Sequence, residues 1–288
     1  MAIPGLTLIG ESLNDSVPAT HQLYEAGDLE ALKALARSQD AGGADYLDVN
    51  VGARPAAFLA EIVRHVQSVT EKPLSLDTPD PAMAEAALRA YDLRRAGGRQ
   101  PILNSISPLR TGMFKLCRVQ PFRPILLASE RVENGVGQPN LAAEQVHQTA
   151  RQLVQEAGQH GIPMDQCIID AAISPIGADA EGRFQCLMGA MRLVHGDPSL
   201  RGVHLSVGLS NFTVMLPPKR ADGSPTKGPL ESAFLTLALP LGLDHIIGSV
   251  KRKYARLPSD HPAMLCLNDC LKLACFEVVM LVQEYYCH

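Results

Sequence analysis

The sequence lacks tryptophan, paired cysteine motifs and long apolar runs. Its 288 residues include seven cysteines, an odd number without a C-x-x-C pair, which favours neither a disulfide framework nor a zinc ribbon. No stretch reaches the roughly 18 uninterrupted apolar residues of a membrane helix, and the start MAIPGLTLIG has no charged segment before a long apolar one. These absences predict a cytoplasmic protein with reduced thiols and no membrane partner.

A strong charge of either sign is also missing. The chain has 26 lysines and arginines against 30 acidic residues, a net charge of −4, and 46% of its residues are hydrophobic. This balance is typical of a globular protein and does not favour nucleic acid as a partner. No linker rich in proline, glycine or serine divides the chain, so residues 1–288 are expected to form one domain.

Short apolar runs alternate with longer amphipathic stretches, a pattern typical of parallel strands joined by crossover helices. The eight runs are LTLIG, DYLDVN, PLSLD, PILNSI, PILLAS, CIIDA, HLSVGLS and HIIGS. Eight strand-then-helix units in a chain of this length favour a single (β/α)8 TIM barrel over an open doubly wound sheet.

Local signals place several helices between these runs. Asp28 is expected to cap a helix that ends near Gly42, and Pro55 and Pro81 begin two more. Three further expectations concern Asn140 as the cap of a helix over Leu141 to Gly158, ENGVGQP as a flexible loop, and Cys266, Cys270 and Cys275 on one C-terminal helix with buried side chains.

Polar side chains stand where the predicted strands end. In a TIM barrel the carboxyl ends of the strands and the loops after them form one open rim, because packed side chains fill the interior. The strand-end residues are therefore expected to converge, and they are Glu11, Asn14, Asp48, Asn50, Asp77, Asn104, Asp170, Ser210 and Asn211.

A rim of carboxylates and amides suits a flat, neutral heterocycle. A carboxylate accepts two parallel hydrogen bonds from an aminopyrimidinone edge, and an amide offers a donor beside an acceptor, so a pterin fits this chemistry. Two alternatives stay open. Such residues often cap the next helix, and Asp77 lies near the helix start TPDPAM; or Asp48, Asp77 and Asp170 bind magnesium through their oxygens.

Six segments in order, LIGESLND, AGGADYLDVNVG, LSLDT, PILNSIS, CIIDA and SVGLSN, resemble the pterin-binding methyltransferases. These are the methyltetrahydrofolate:corrinoid-protein methyltransferases, related to the folate region of cobalamin-dependent methionine synthase and more distantly to dihydropteroate synthase. The resemblance runs over nearly the whole chain. It implies a homodimeric TIM barrel that moves a methyl group between N5 of tetrahydrofolate and the cobalt of a corrinoid (cobalamin) carried by a partner protein, in one-carbon metabolism such as O-demethylation.

The same resemblance implies roles for the strand-end residues. Asp77, Asn104 and Asp170 would hold the pterin, and Asn211 would be the catalytic amide that approaches N5. Around them, the pocket would be lined by Glu11, Asn14, Asp48, Asn50 and Ser210. No metal ligand and no catalytic histidine are implied.

Two departures from the family pattern stand out. The pair Asp170 and Ala171 replaces the usual Asp-Pro, and a long loop, FTVMLPPKRADGSPTKGP, follows GLSN. Possible contacts for the anionic tail of a folate or for the corrinoid protein are Arg220, Lys227, Lys251 and Arg252. The alternatives are a dihydropteroate synthase-like enzyme, although GLSN stands where a Ser-Arg-Lys ending is expected, and a non-catalytic pterin-binding protein.

Overall fold

Eight parallel strands close into a barrel in the computed structural model, which describes residues 3–273 and 275–287. The strands in chain order are β1 (Thr7–Asn14), β2 (Tyr46–Asn50), β3 (Leu74–Asp77), β4 (Ile102–Ile106), β5 (Arg123–Leu127), β6 (Glu130–Glu133), β7 (Val136–Pro139), β8 (Ile168–Asp170), β9 (His204–Gly208) and β10 (Leu243–Gly248). All but β6 and β7 belong to the barrel, which closes where β1 pairs with β10. The predicted (β/α)8 TIM barrel is confirmed, and each of the eight apolar runs overlaps a barrel strand.

Helices follow most barrel strands and cover the outside of the barrel. They are α1 (Pro18–Ala26), α2 (Leu29–Ala41), α3 (Ala56–Gln67), α4 (Pro81–Ala90), α5 (Ala143–Gln159), α6 (Arg183–Gly196), α7 (Leu209–Phe212), α8 (Lys227–Ala238), α9 (Pro262–Cys270) and α10 (Phe276–Cys287). A 3₁₀ helix at Thr111–Arg118 takes the place of an α-helix between β4 and β5. None of the described helices has the length and apolar character needed to cross a lipid bilayer.

Local sequence explains where two of these helices begin. The carboxylate of Asp28 accepts a hydrogen bond from the amide of Ala31 at 3.0 Å and so caps α2, as predicted. Asp80 caps α4 in the same way through the amides of Ala82 and Met83. Each cap satisfies backbone donors that have no partner inside the helix.

The barrel interior contains a layer of isoleucines. Ile9, Ile102, Ile125 and Ile168 are fully buried and pack on one another, with Tyr46 and Ile247 against them. A larger apolar core fills the space between the barrel and the helices. Because branched side chains fill the interior at this level, a ligand can approach the strands only from their ends.

The segment ENGVGQP is not a flexible loop, so that prediction was wrong. Residues of β6 and β7 pair antiparallel from Glu130 with Pro139 to Glu133 with Val136, which makes a short hairpin after β5. Asn134 and Gly135 lie at its tip, both with positive φ. An Asn-Gly pair favours such a turn, because both residues tolerate the left-handed conformation that a two-residue hairpin loop requires.

Two further local predictions were wrong. Asn140 does not cap a helix; its buried side chain amide donates to the carbonyl of Ala128 and the hydroxyl of Thr149, both at 2.9 Å, and ties the hairpin to β5 and α5. Cys275 lies exposed between α9 and α10 with a φ of 48°, so the C-terminal helix is broken before it. Cys266 and Cys270 share α9 and are buried, as expected.

We expect Ile168→Ala to lower the free energy of unfolding by about 3 kcal/mol, because it leaves a cavity in the isoleucine layer that neighbouring strands cannot close. Urea denaturation followed by circular dichroism measures the change. Val132→Ala, at a position of the hairpin that is 44% exposed, is the control and should change stability far less. Equal losses in the two variants would show that the layer does not support the barrel.

Candidate active site

A cavity of about 330 Å³ opens at the carboxyl ends of the barrel strands. Its wall includes seven of the nine strand-end residues, namely Glu11, Asn14, Asp48, Asp77, Asn104, Asp170 and Asn211. The other two contact this wall: Asn50 donates to the carboxylate of Asp77 at 2.9 Å, and the hydroxyl of Ser210 donates to Glu11. The structure thus brings all nine residues together at one place. A volume of this size is typical of a small-molecule site.

The two-residue period of a β-strand explains this convergence. Side chains two positions apart point to the same side of a strand. Asn104 therefore stands above Ile102 of the isoleucine layer, and Asp170 stands above Ile168. Parallel pairing sets Asp77 opposite Asn104 on the next strand. The polar ring is thus the next layer of the barrel above its apolar interior.

Asp48 has the most unusual surroundings in the cavity. It is 1% exposed, and neither carboxylate oxygen makes a hydrogen bond of good geometry with the described residues, although Ser75 and Asn14 lie close enough to act on it. Burial raises the pKa of Asp48 well above its usual range, and the nearby Asp77 raises it further, while Ser75 and Asn14 oppose the shift only partly. An unpaired buried carboxylate is costly, so a ligand with N–H groups at this point would relieve it.

Two other aspartates of the cavity are also desolvated. Burial raises the pKa of Asp77 to about 6, although the hydrogen bond from Asn50 opposes the shift. Burial likewise raises the pKa of Asp170 to about 6, against the hydrogen bond that it accepts from the amide of Ala172 at 2.7 Å. Both side chains can therefore gain or lose a proton near neutral pH, according to what binds beside them.

The capping alternative applies to some of these residues and not to others. Asp80, and not Asp77, caps the helix that follows β3. By contrast, Asn14 accepts hydrogen bonds from the amide and hydroxyl of Ser16, and Asn50 accepts one from the amide of Gly52, so these two side chains support their loops. The side chain oxygens of Asp77 remain directed to the cavity and to Asn50.

The magnesium alternative gains no support from the geometry. Among the described residues, one group of three or more potential ligands lies close enough to share an ion, and it consists of His204, Asp244 and His245. This group lies at the amino ends of β9 and β10, away from the cavity. Nδ1 of each histidine already contacts the Asp244 carboxylate, at 2.6 Å and 2.7 Å. Asp48, Asp77 and Asp170 do not form such a group.

The four basic candidates lie outside the wall of the cavity. Arg220 contacts α10 in two ways. Its Nε donates to the carbonyl of Tyr285 at 2.8 Å, and its guanidinium carbon lies 4.6 Å from the centre of the Tyr285 ring. Lys227 donates to the carbonyl of Val214 at 3.2 Å, and Lys251 is exposed. Nε of Arg252 lies 3.0 Å from the carboxylate of Glu231. Contacts of these residues with a folate tail or a partner stay predictions.

The sequence analysis missed Glu231, which lies behind the cavity wall. Its side chain is fully buried in α8 and accepts a hydrogen bond from Thr213, two residues after Asn211. A signal was present, because Glu231 is the one charged residue in the helical stretch PLESAFL. A charged residue on the buried face of a helix needs a partner and so marks a site to inspect.

The fold and the cavity define a TIM-barrel protein whose acid-rich pocket suits a small nitrogen heterocycle. The Pterin binding enzyme family matches residues 19–248, and the chain belongs to that family. A methylcorrinoid:tetrahydrofolate methyltransferase of Eubacterium limosum is 25% identical over 248 residues, which cover 84% of this chain and 84% of that protein.

Solved structures show the same fold at lower sequence identity. A dihydropteroate synthase of Yersinia pestis, in complex with a pterine-sulfa conjugate, has a TM-score of 0.57 and 14% identity over 97% of this chain and 92% of that chain. The enzyme of Thermus thermophilus has a TM-score of 0.55 and 20% identity, over 86% and 89% of the two chains. At these identities the likeness concerns the fold alone.

We expect Asp170→Asn to stabilise the protein at pH 7 by about 1–2 kcal/mol, because it removes a desolvated charge and keeps the acceptor for Ala172. The pKa of Asp170 is raised to about 6 in the folded protein, so its contribution to stability is fully present below about pH 4 and is lost as pH rises through 6. Denaturant unfolding at several pH values measures this.

In the Asp170→Asn variant the loss of stability between pH 4 and 6 should become smaller. Asp260→Asn makes the same chemical change at an exposed position and serves as the control. If both variants followed the wild-type pH dependence, the pKa of Asp170 would not be raised in the folded protein.

Proposed function

We propose that this protein is a methyltransferase that moves a methyl group between N5 of tetrahydrofolate and the cobalt of a corrinoid carried by a partner protein. The observation that carries the proposal is the ring of strand-end carboxylates and amides around one cavity, with the oxygens of Asp48 unpaired at its wall. The similarity to a methylcorrinoid:tetrahydrofolate methyltransferase supports the choice among pterin chemistries.

The pterin would be held by its hydrogen-bonding edge. An aminopyrimidinone presents an exocyclic amine beside a ring N–H, and a carboxylate accepts both with two parallel bonds. Asp170 and Asp77 lie on opposite sides of Asn104 in the barrel order β8, β5, β4 and β3, so their oxygens can meet different edges of one flat ring. The amide of Asn104 offers a donor to the ring carbonyl or nitrogens between them.

The chemistry requires help at N5. A methyl group on a tertiary amine transfers poorly, because the departing nitrogen would carry negative charge unless it gains a proton or a strong hydrogen bond. Asn211 follows β9 on α7 and lines the cavity, so its amide would stabilise the protonated nitrogen. The bound corrinoid would supply the cobalt nucleophile, which no side chain of this protein can replace. In the reverse direction the same groups would act on the same atoms.

The face around the cavity is suited to a macromolecular partner. Loops and the hairpin on this face expose apolar side chains, with Leu109 at 50%, Val136 at 58% and Met215 at 66% exposure. They follow the carboxyl ends of β4, β5 and β9 in the chain, which is the end of the barrel where the cavity opens. Exposed apolar surface of this kind is typical of a docking site, and a corrinoid must approach through this mouth.

The proposal includes two further features that the resemblance implies. A homodimer is supported by Phe276 and Met280, which are 63% and 52% exposed and lie one turn apart on α10. A cytoplasmic location for one domain of residues 1–288 fits a reaction that needs reduced cobalt. The dihydropteroate synthase-like alternative rests on a shared fold with those enzymes, and a non-catalytic pterin-binding protein remains the other alternative.

Mixing the protein with 5-methyltetrahydrofolate and a reduced corrinoid protein should produce methylcobalt, seen in the visible spectrum of the cobalt. We expect Asn211→Ala to slow this transfer about 100-fold, because the hydrogen bond to N5 is needed most as the bond breaks. Asn268→Ala, on α9 and away from the cavity, is the control and should keep the wild-type rate.

The possible outcomes separate the candidate functions. Pterin binding without methylcobalt would favour the non-catalytic protein, and condensation of a pterin pyrophosphate with an aminobenzoate would favour the synthase. Transfer at the full rate in Asn211→Ala would remove this residue from the mechanism while leaving the methyltransferase function in place.

A further inference from the structure

Two glutamates contact α7 and the residue that follows it. Glu11, on the cavity wall, accepts a hydrogen bond from the hydroxyl of Ser210. Glu231, fully buried in α8, accepts one from the hydroxyl of Thr213. Asn211 lies between Ser210 and Thr213 in the chain, so the two acids fix the short segment that carries the proposed catalytic amide.

One cation serves both glutamates. Nε of Arg252 lies 3.0 Å from Oε2 of Glu231 as an ion pair, and the positive charge of Arg252 also acts on Glu11. Burial raises the pKa of Glu231 to about 7 and raises that of Glu11, and in both cases Arg252 opposes the shift. One arginine can balance one buried carboxylate, so ionisation of one glutamate disfavours ionisation of the other.

Other titratable groups surround the two acids. Asp48 shares the cavity wall with Glu11, and its pKa is raised in part by that carboxylate. Lys227 acts on Glu231 from the start of α8. The ring of Tyr254 lies near both glutamates, and their charges help to raise the pKa of its hydroxyl. Arg252 and Lys227 are therefore the cations that act on the two glutamates, and Asp48 and Tyr254 are their acidic neighbours.

We propose that Glu11 donates the proton that N5 takes up during methyl transfer, and that Glu231 and Arg252 are positioning residues that act on Glu11 with opposite charges. The inference rests on the proposed methyltransferase function. The O–H bond of Glu11 and the bond from the methyl carbon to N5 break, while bonds from hydrogen to N5 and from the methyl carbon to cobalt(I) form. The glutamate is left as a carboxylate. In the reverse direction this carboxylate accepts the proton.

Glu11 suits this role better than Asn211, Asp77 and Asp170. Asn211 carries no acidic proton and can only stabilise the protonated nitrogen. Asp77 and Asp170 are proposed to hold the aminopyrimidinone edge, and N5 belongs to the other ring. Glu11 is the acid connected to the Asn211 segment, through Ser210, and it borders the cavity directly.

The decisive variant is Glu11→Gln, which keeps the size of the side chain and the acceptor for Ser210 but removes the proton. We expect methyl transfer to the reduced corrinoid protein to fall about 100-fold, as loss of a general acid does. The Kd for tetrahydrofolate should stay within about threefold of wild type, since the pterin-holding groups are unchanged. Glu284→Gln, exposed on α10, is the matched control and should keep the wild-type rate.

Variants of the positioning residues should move the pH profile in opposite directions. In wild type, transfer from methyltetrahydrofolate should slow as pH rises through the pKa of Glu11, because only the protonated acid donates. Glu231→Gln removes a nearby negative charge, so this decline should begin at lower pH, by about half a pH unit. Arg252→Gln removes the cation, so the decline should begin at higher pH.

These outcomes separate the proton inference from the proposed function. Full transfer by Glu11→Gln, or shifts of the two pH profiles in the same direction, would overturn the proton role of Glu11 while the methyltransferase function stood. Wild-type protein that binds tetrahydrofolate without any methylcobalt formation would overturn both. If Arg252→Gln failed to fold with Glu231 unpaired, the double variant Glu231→Gln with Arg252→Gln would remove both charges and should restore folding with a nearly unshifted profile.

Discussion

Desolvation of carboxylates above a closed apolar layer is the constraint on which the rest of this site depends. The isoleucines of the barrel interior lie below Asp48 and Asp170, so few polar groups surround these carboxylates: Ser75 and Asn14 act on Asp48, and the amide of Ala172 donates to Asp170. Their raised pKa values follow from that position. Ring N–H groups of a ligand would replace the hydrogen bonds that these carboxylates lose to water. Apolar packing inside the barrel therefore favours binding of a pterin at the strand ends.

The same constraint explains why stability and function oppose each other here. A barrel with asparagines in place of the aspartates would be cheaper to fold at neutral pH, since an amide loses less on leaving water than a carboxylate does. It would also lose the paired acceptors that an aminopyrimidinone requires. Strain of this kind is expected where a fold serves chemistry, and here it is confined to the strand ends.

Much of this arrangement could be predicted from the sequence, because it depends on two patterns that are short in the chain. Apolar runs indicated the strands, and polar residues where those runs end, such as Asp77 and Asn104, indicated the rim. The hairpin at Asn134 was missed although its Asn-Gly pair is a strong turn signal, because polarity was taken for a loop. Glu231 was missed for a different reason: its partners Thr213 and Arg252 are distant in sequence, and only folding brings them together.

The loop after Asn211 departs from the family pattern, and its residue Thr213 makes one of these long-range contacts, with Glu231. An acid at an open rim would be ionised at neutral pH and could not give a proton to an amine nitrogen. Burial raises the pKa of an acid and so favours its protonated form, while a hydrogen-bond donor and a cation close by stabilise the carboxylate that remains after the proton has left. The hydroxyls of Ser210 and Thr213 and the guanidinium of Arg252 supply both from separate segments of the chain. The chain can therefore place a usable proton beside the cavity without any histidine there.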